Sequence, residues 1–372
     1  MDDDVRAYWL ALHRVPGVGS HTFEALVREF GTPREVFAQR ARARQWLRGP
    51  GAATALATPD WAGVERDLAW LNHPQHHLIT LGEAAYPSLL REISDPPPLL
   101  FVAGDPALLK QPQIAVVGAR NPTGPGRDSA LHFARFLADT GLTITSGLAA
   151  GVDAAAHQGA LAARGATVAI MGTGPDDIYP KKNLTLAADI VAHGGAIVSE
   201  YPTGVGPHKE NFPRRNRIIA GLSLGTLVVE AAQHSGSLIT ARLATEYGRE
   251  VFALPGSIHN PLARGCHELI RQGAKLVETA QHILEELGPL ARFSLSSTMS
   301  PALAPLAGAG DALADTLLDA IGFEPTPVDT VIVRCGLAPD VVLSRLMVLE
   351  LHGLVAAVPG GCYTRVLTRV EP

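Results

Sequence analysis

Between residues 112 and 287 the apolar positions fall into brief runs, at 114–117, 142–145, 167–171, 196–199, 226–229, 250–254 and 275–278. Each run stops at a glycine, a serine or a charged residue. Runs this short, bounded by turn residues, predict fully buried strands. Longer stretches separate them, with apolar residues three and four apart. Examples are Ala130, Phe133, Ala134 and Leu137, then 154–163 and 238–247. Strand and helix in strict alternation predict an α/β fold, an extended Rossmann-like, doubly wound parallel sheet. Right-handed crossovers then bring the strand-to-helix turns to one edge of that sheet. Helix N-termini on this edge would aim backbone N–H groups at an anion, so the edge is expected to bind phosphates.

The flanks follow other patterns. Residues 5 to about 70 carry helical periodicity, interrupted by Pro16-Gly17-Val18-Gly19 and by Gly31. Helix, glycine turn, helix fits either a helix-hairpin-helix, whose turn can meet a DNA phosphate, or an ordinary tight turn in a small bundle. Residues 78–81 and 99–103 predict two more strands around the stiff Asp95-Pro96-Pro97-Pro98 break. Residues 288–310 read as a flexible linker by composition. Beyond it, 314–321, 327–335 and 339–351 predict three helices, and 355–358 with 363–367 a hairpin, which is a winged-helix pattern. The expected domains are thus 1–77, helical; 78–287, the sheet domain; and 311–372, the winged-helix-like unit.

Composition narrows the partners. The 372 residues carry a net charge of −5, so any affinity for a polyanion must be local. Lysine is scarce, and three of the five, Lys181, Lys182 and Lys209, lie within the sheet domain's turns. The unit 311–372 holds eight acids against four arginines, and its third helix has Arg345 as its one clear cation. A DNA-reading helix should be basic, so a protein-binding or structural role is expected there. The three cysteines are widely spaced and form no CxxC pair, which predicts neither disulfides nor a zinc site and suits the reducing cytoplasm. The acidic start argues against a signal peptide, and no apolar run is long enough to span a membrane.

The candidate chemistry sits at the strand ends. The first turn, Gly118-Ala119-Arg120, is neither GxGxxG nor a Walker A loop, so no nucleotide cofactor is expected. A glycine turn with an arginine fork beside it suits a phosphodiester, or an internal acid. The second, Ser146-Gly147 leading to Gly151-Val152-Asp153, opens a helix on which His157 is expected to pack rather than act as a base. The third continues to Tyr179-Pro180-Lys181-Lys182-Asn183. The richest, Lys209 to Arg217, sets four cations against one acid and interleaves Asn211, Phe212 and Asn216. There Arg214 and its neighbours could track a phosphate backbone while Phe212 stacks on a base. Arg215 and Arg217 belong to this set, although Arg217 could instead hold the loop by pairing with Glu230. Ser235-Gly236 opens a further helix. Several such openings on one rim suit a single nucleic-acid strand better than one dinucleotide.

The stretches Tyr86-Pro87-x-Leu89-Leu90, Val117-Gly118-Ala119-Arg120, Ser146-Gly147-x-Ala149-x-Gly151-x-Asp153-x-x-x-His157, Ile178-Tyr179-Pro180 and Asn211-Phe212-Pro213-x-Arg215-Asn216-Arg217 together resemble the DNA-processing protein A (DprA, or Smf) family. The resemblance spans nearly the whole chain. It implies a sterile-alpha-motif-like N-terminal domain, an extended Rossmann domain and a winged helix. It also implies a homodimer that binds single-stranded DNA and loads the RecA recombinase in natural transformation, with no catalytic residue, metal or cofactor. Carried over by position, Arg120, Ser146-Gly147, Lys181–Asn183 and Asn211–Arg217 would line the DNA site. Ala119 departs from the serine frequent in the family. Related Rossmann proteins that cleave nucleoside monophosphates carry a glycine-rich segment before their glutamate; here that segment reads Leu222-Ser223-Leu224-Gly225-Thr226, ahead of Glu230. The competing readings are therefore such an enzyme, or a protein-binding adaptor acting through 311–372.

Overall fold

The apolar runs become the strands of one nine-stranded sheet. In a computed structural model these are β1 His76–Thr80, β2 Leu99–Gly104, β3 Gln113–Gly118, β4 Thr143–Ser146, β5 Thr167–Ile170, β6 Ala196–Ser199, β7 Gly225–Val229, β8 Glu250–Ala253 and β9 Lys275–Leu276. The structure describes residues 3–49, 51–296, 317–318, 320–321, 326–351, 354–358 and 362–365. The strand order is β1-β2-β6-β5-β4-β3-β7-β8-β9. All neighbours from β6 to β9 run parallel, whereas β2 pairs antiparallel with both β1 and β6. The sheet is thus mostly parallel, with an antiparallel flank formed by the residues around the proline break.

Burial on both faces explains the apolar runs. One face of β3, β5, β6 and β7 contributes Ala115, Val117, Val168, Ile170, Val198 and Val228 to a core shared with Ile218, Ile219 and Leu222 of the helix Asn211–Leu222. The opposite face contributes Ile114, Val116, Ile144 and Leu227, covered by Ala130, Ala134 and Leu137 of the helix Gly124–Asp139. Removing one such fully buried leucine side chain would cost about 2–5 kcal/mol.

The N-terminal helices have a core of their own, around Leu12, Phe23, Leu26, Val36 and Leu56, and a smaller cluster joins them to the sheet. Leu10 and Ala11 of the helix Asp3–His13 and Val64 of the helix Trp61–Leu71 pack with Leu99 and Phe101 of β2. A buried ion pair clamps the seam: Arg14 Nε donates to Asp67 at 2.7 Å, and the Thr203 backbone N–H and hydroxyl donate to the same carboxylate. Residues 1–299 accordingly form one compact unit and 300–372 a second.

In the second unit the helices Val328–Cys335 and Pro339–Leu351 and the strands β11 Val355–Val358 and β12 Cys362–Arg365 match the expected winged-helix elements, and a short strand not expected, β10 Thr326–Pro327, pairs with β12 where Pro327 was expected to open a helix. Of the expected helix 314–321, Leu317, Leu318, Ala320 and Ile321 lie within the described residues and belong to this unit's core. The linker expectation needs correcting at its start. A helix runs through Ala280–Ser296, with Ile283, Leu284 and Leu287 packed on the sheet's core, and it continues past Gly288. Residues 297–310 lie outside the described residues. No described helix is long and apolar enough to cross a membrane.

Candidate nucleic-acid interface

The order in which strands are added reverses between β3 and β7, a switch point of the kind where open α/β sheets take their ligands. Of the expected row of open helix N-termini, those of Gly124–Asp139 and Gly236–Glu246 are capped by the chain's own side chains, whereas those of Val152–Ala162, Leu184–Ala192 and Asn211–Leu222 carry no side-chain cap. At the helix Gly124–Asp139, Glu230 accepts from the Thr123 N–H at 2.7 Å and the Thr123 hydroxyl at 2.6 Å, and that hydroxyl caps Gly126. In the turn ahead of the helix Val152–Ala162, Asp153 accepts from the Gly147 and Ala149 N–H groups at 3.1 and 3.3 Å, while the helix start itself has no side-chain cap. At the helix Gly236–Glu246, Ser235 caps Ser237. A carboxylate at a helix start satisfies the same donors that a phosphate would. At the capped starts, any pull on a polyanion must come from side chains.

Several residues singled out in the sequence turn out to be the frame. Ser146 is buried and donates to Val116 O at 2.6 Å. Asn183 is buried and donates to Leu148 O at 2.8 Å and Ala149 O at 3.2 Å, fastening one turn to the next. Arg215 is buried beneath Gly147, where any side chain would stand 2.7 Å from the guanidinium. Its Nη1 donates to Gly147 O at 2.7 Å and to Ile170 O. Burial, with Arg120 nearby, pulls its pKa down to about 10, against the opposing attraction of Asp153. Arg217 does hold its helix by an ion pair, but not with Glu230. It pairs with Glu200 at 2.6 Å and Asp95 at 3.1 Å. Burial works against its charge, and these two carboxylates more than offset that. Glu230 is committed to Thr123 and to Asn260, whose Nδ2 donates at 3.0 Å. The Glu200 and Asp95 partners come from a strand end and from the proline break, too far along the sequence for spacing to reveal.

His157 packs, as expected. Thr167 spends its hydroxyl proton on Ile144 O, so the imidazole Nδ1–H must donate to Thr167 Oγ1, at 2.7 Å. Burial, reinforced by Arg215, lowers its pKa to about 3. Gly118 and Ala119 form the floor of the first turn, which is joined to the second by the Val152 N–H donating to Ala119 O at 3.1 Å. Asn216 donates to Gly236 O at 3.3 Å. Asn211, Phe212 and Ser235 are half-buried, and Gly236 is exposed.

What remains on the surface is a cluster of cations around aromatic rings. Arg120, Lys181, Lys182, Lys209 and Arg214 are all exposed. Arg120 lies over the Phe212 ring, 5.9 Å from its centroid, and the Tyr179 ring stands 5.5 Å from Phe212. Gly172 lets Phe212 close onto β5's end, since a side chain there would come within 2.8 Å of the ring. Lys181 is paired with Asp177, and Arg214 stands 3.7 Å from Glu200; Lys182 makes no ion pair among the described residues. No group of metal-binding side chains occurs among the described residues.

This geometry, cations around a ring at the carboxyl rim, can be set beside known proteins. A family model described as DNA recombination-mediator protein A matches residues 77–288. The chain belongs to this family, the DprA or Smf proteins. A second model, the DprA winged helix domain, matches residues 300–361. The chain is 47% identical to Protein Smf of Escherichia coli over 306 residues, 80% of each sequence. It is 50% identical to the DNA processing protein DprA of Streptococcus pneumoniae over 201 residues, 54% of this chain and 71% of that one. The X-ray structure of the Streptococcus pneumoniae protein superposes with a TM-score of 0.67 at 37% identity, over 75% of this chain and 97% of the other. A Helicobacter pylori DprA structure, reported for its single-stranded DNA binding mode, superposes with a TM-score of 0.52 at 33% identity, over 58% and 97%. The winged-helix and Rossmann-like expectations from the sequence are those of this family.

Proposed function

We propose that this member of the DprA family binds single-stranded DNA along the carboxyl rim of its sheet and hands the strand to the RecA recombinase during natural transformation and recombination. The observation that carries this reading is the exposed set Arg120, Lys181, Lys182, Lys209 and Arg214 gathered around Phe212 and Tyr179. Cations that follow a backbone, beside rings that accept bases, are what a sequence-tolerant single-strand site requires. The Helicobacter pylori relative, a single-stranded DNA binder by its description, supports the substrate class. The protein acts as a cytoplasmic homodimer, without cofactor or metal, and performs no catalysis. Glu230 argues against a nucleotide-cleaving role, because Thr123 and Asn260 already occupy its carboxylate. The acidic unit 311–372 serves protein contacts rather than DNA.

The test has two parts. Purified protein should shift oligo-dT in a gel at low salt and release no free base from nucleoside monophosphates. It should also speed RecA filament growth on DNA coated with single-strand-binding protein. Failure to bind oligo-dT sinks the whole reading, and binding without stimulation of RecA removes the loading role.

A further inference from the structure

The turn Pro16-Gly17-Val18-Gly19 has no part in the rim cluster, yet it borders a cleft of about 350 Å³ in the seam between the N-terminal helices and the sheet. The turn supplies Val15, Pro16 and Val18, and the loop after β6 supplies Pro202 and Val205. Small-ligand sites hold about 300–1,000 Å³ and join apolar walls to a few polar groups, so the cleft has room for one small ring system. Its polar groups are mainly acceptors. Glu200 is buried; one carboxylate oxygen is paired with Arg217 at 2.6 Å, and the other, Oε1, has no partner among the described residues. His13 Nε2–H donates to Glu200 O at 2.7 Å, since a carbonyl oxygen can only accept. Burial lowers the His13 pKa to about 4, so the ring is neutral at pH 7 and its Nδ1 is a bare acceptor, also without a partner. Asp60 adds a further carboxylate, 3.3 Å from Arg14. Such a lining repels a phosphate and suits a ligand edge that donates. Arg214 belongs both to this cleft and to the exposed cations of the rim, so a strand held at the rim passes the cleft.

We propose that this cleft takes a nucleobase with an exocyclic amine (cytosine, adenine or guanine) from the strand bound at the rim. The inference rests on the single-strand reading above and adds to it a second subsite, walled in part by the N-terminal turn. The apolar side chains of the turn and of the β6 loop cover the base, Arg214 meets its phosphate, and the amine answers the unspent acceptors of Glu200 and His13. An acceptor left unmade away from water is costly, so a ligand that brings a donor gains by entering. Thymine gains less, because carbonyls flank its one ring N–H and would face those acceptors.

Two fluorescent 20-mers at matched salt decide it, dC and dU, whose bases differ only in the amine or carbonyl at C4 and the proton at N3. In anisotropy titrations wild type should bind dC about tenfold more tightly than dU, the difference expected for one hydrogen bond to a charged acceptor. Pro16→Trp, which fills the cleft from an exposed position, should bring dC down to the dU level and leave dU unchanged, with the melting temperature of wild type. Should that variant melt lower, Val205→Phe fills the same cleft from the β6 loop and is read in the same way. Equal binding of dC and dU by wild type would overturn the inference, and so would a filled cleft that still prefers dC, because the amine would then be read elsewhere. Should wild type bind neither oligomer, the single-strand reading falls as well; should it bind both alike, this inference alone fails.

Discussion

The cations of the Lys209–Arg217 segment look interchangeable along the sequence, yet burial sorts them into two trades. Arg215 and Arg217 are enclosed and bound to carbonyl oxygens or carboxylates, whereas Lys209 and Arg214 stay in water. Arg215 follows Phe212 by three positions, close to one helical turn, so the two share a side of the helix, Phe212 half-buried at its start and Arg215 fully enclosed one turn on. Periodicity could have assigned Arg215 and Arg217 to the side facing Ile218 and Ile219. It could not have named their partners, which arrive from β5, β6 and the proline break. His157 illustrates the same enclosure with a measurable outcome. Its pKa falls from 6.5 to about 3 on folding, so the unfolded chain takes up a proton below about 6.5 that the fold refuses. Its stabilising share is therefore complete above pH 6.5 and lost as pH drops toward 3, by about 1.4 kcal/mol per pH unit. His13, lowered to about 4 by burial, acts in the same direction. Urea unfolding of wild type at pH 7, 6 and 5 should show falling stability, and His157→Gln should flatten that slope. A variant whose slope equals that of wild type would mean that the imidazole takes up its proton as readily in the fold as in the unfolded chain.

At the level of elements, strands were the legible part. The apolar runs at 114–117, 142–145, 167–171, 196–199 and 226–229 fall within a residue or so of β3 to β7, because strands buried on both faces leave little room for polar residues. The strand-to-helix turns were legible as positions and misleading as chemistry. Glycine and small residues at 118, 147 and 151 suggested open N–H groups, but these turns pack on one another, and their donors go to Asp153 and Glu230. A carboxylate that caps its own helix and one that comes from a distant strand end look alike in a sequence. The consequence is that, at the capped turns, affinity for a strand depends on side-chain charge. Arg120→Glu and Lys182→Glu should each weaken oligo-dT binding and flatten its dependence on salt, the slope of log K against log salt shrinking by about 0.7 per lost phosphate contact. Neither variant touches the core, so melting temperatures should hold. If titrations of both variants overlay wild type from low to moderate salt, the strand lies on another face.

At the level of the molecule, two units with separate cores divide the labour. The first couples its N-terminal helices to the sheet through Arg14, Asp67 and Thr203, so the helical segment expected as a domain of its own is fastened to the β6-to-helix loop, nine positions before Phe212. That attachment was invisible in the sequence because its three members lie at positions 14, 67 and 203. The second unit gathers Leu317, Ile321, Val331, Val342, Leu346 and Val355 into its own core and presents Val333 and Leu343 to solvent. Across 311–372 acids outnumber arginines by eight to four, and like charge keeps phosphate away at distances within the screening length of about 10 Å at 0.1 M salt. A chain shortened to residues 1–299 should therefore keep oligo-dT affinity within about twofold while losing contacts that depend on the second unit. Anisotropy titrations of the full and shortened chains at the same salt give the comparison. A tenfold weakening on shortening would place nucleic acid on the winged helix in spite of its charge. Tighter binding by the shortened chain would instead reveal that the acidic unit competes with the strand for the cations at the rim.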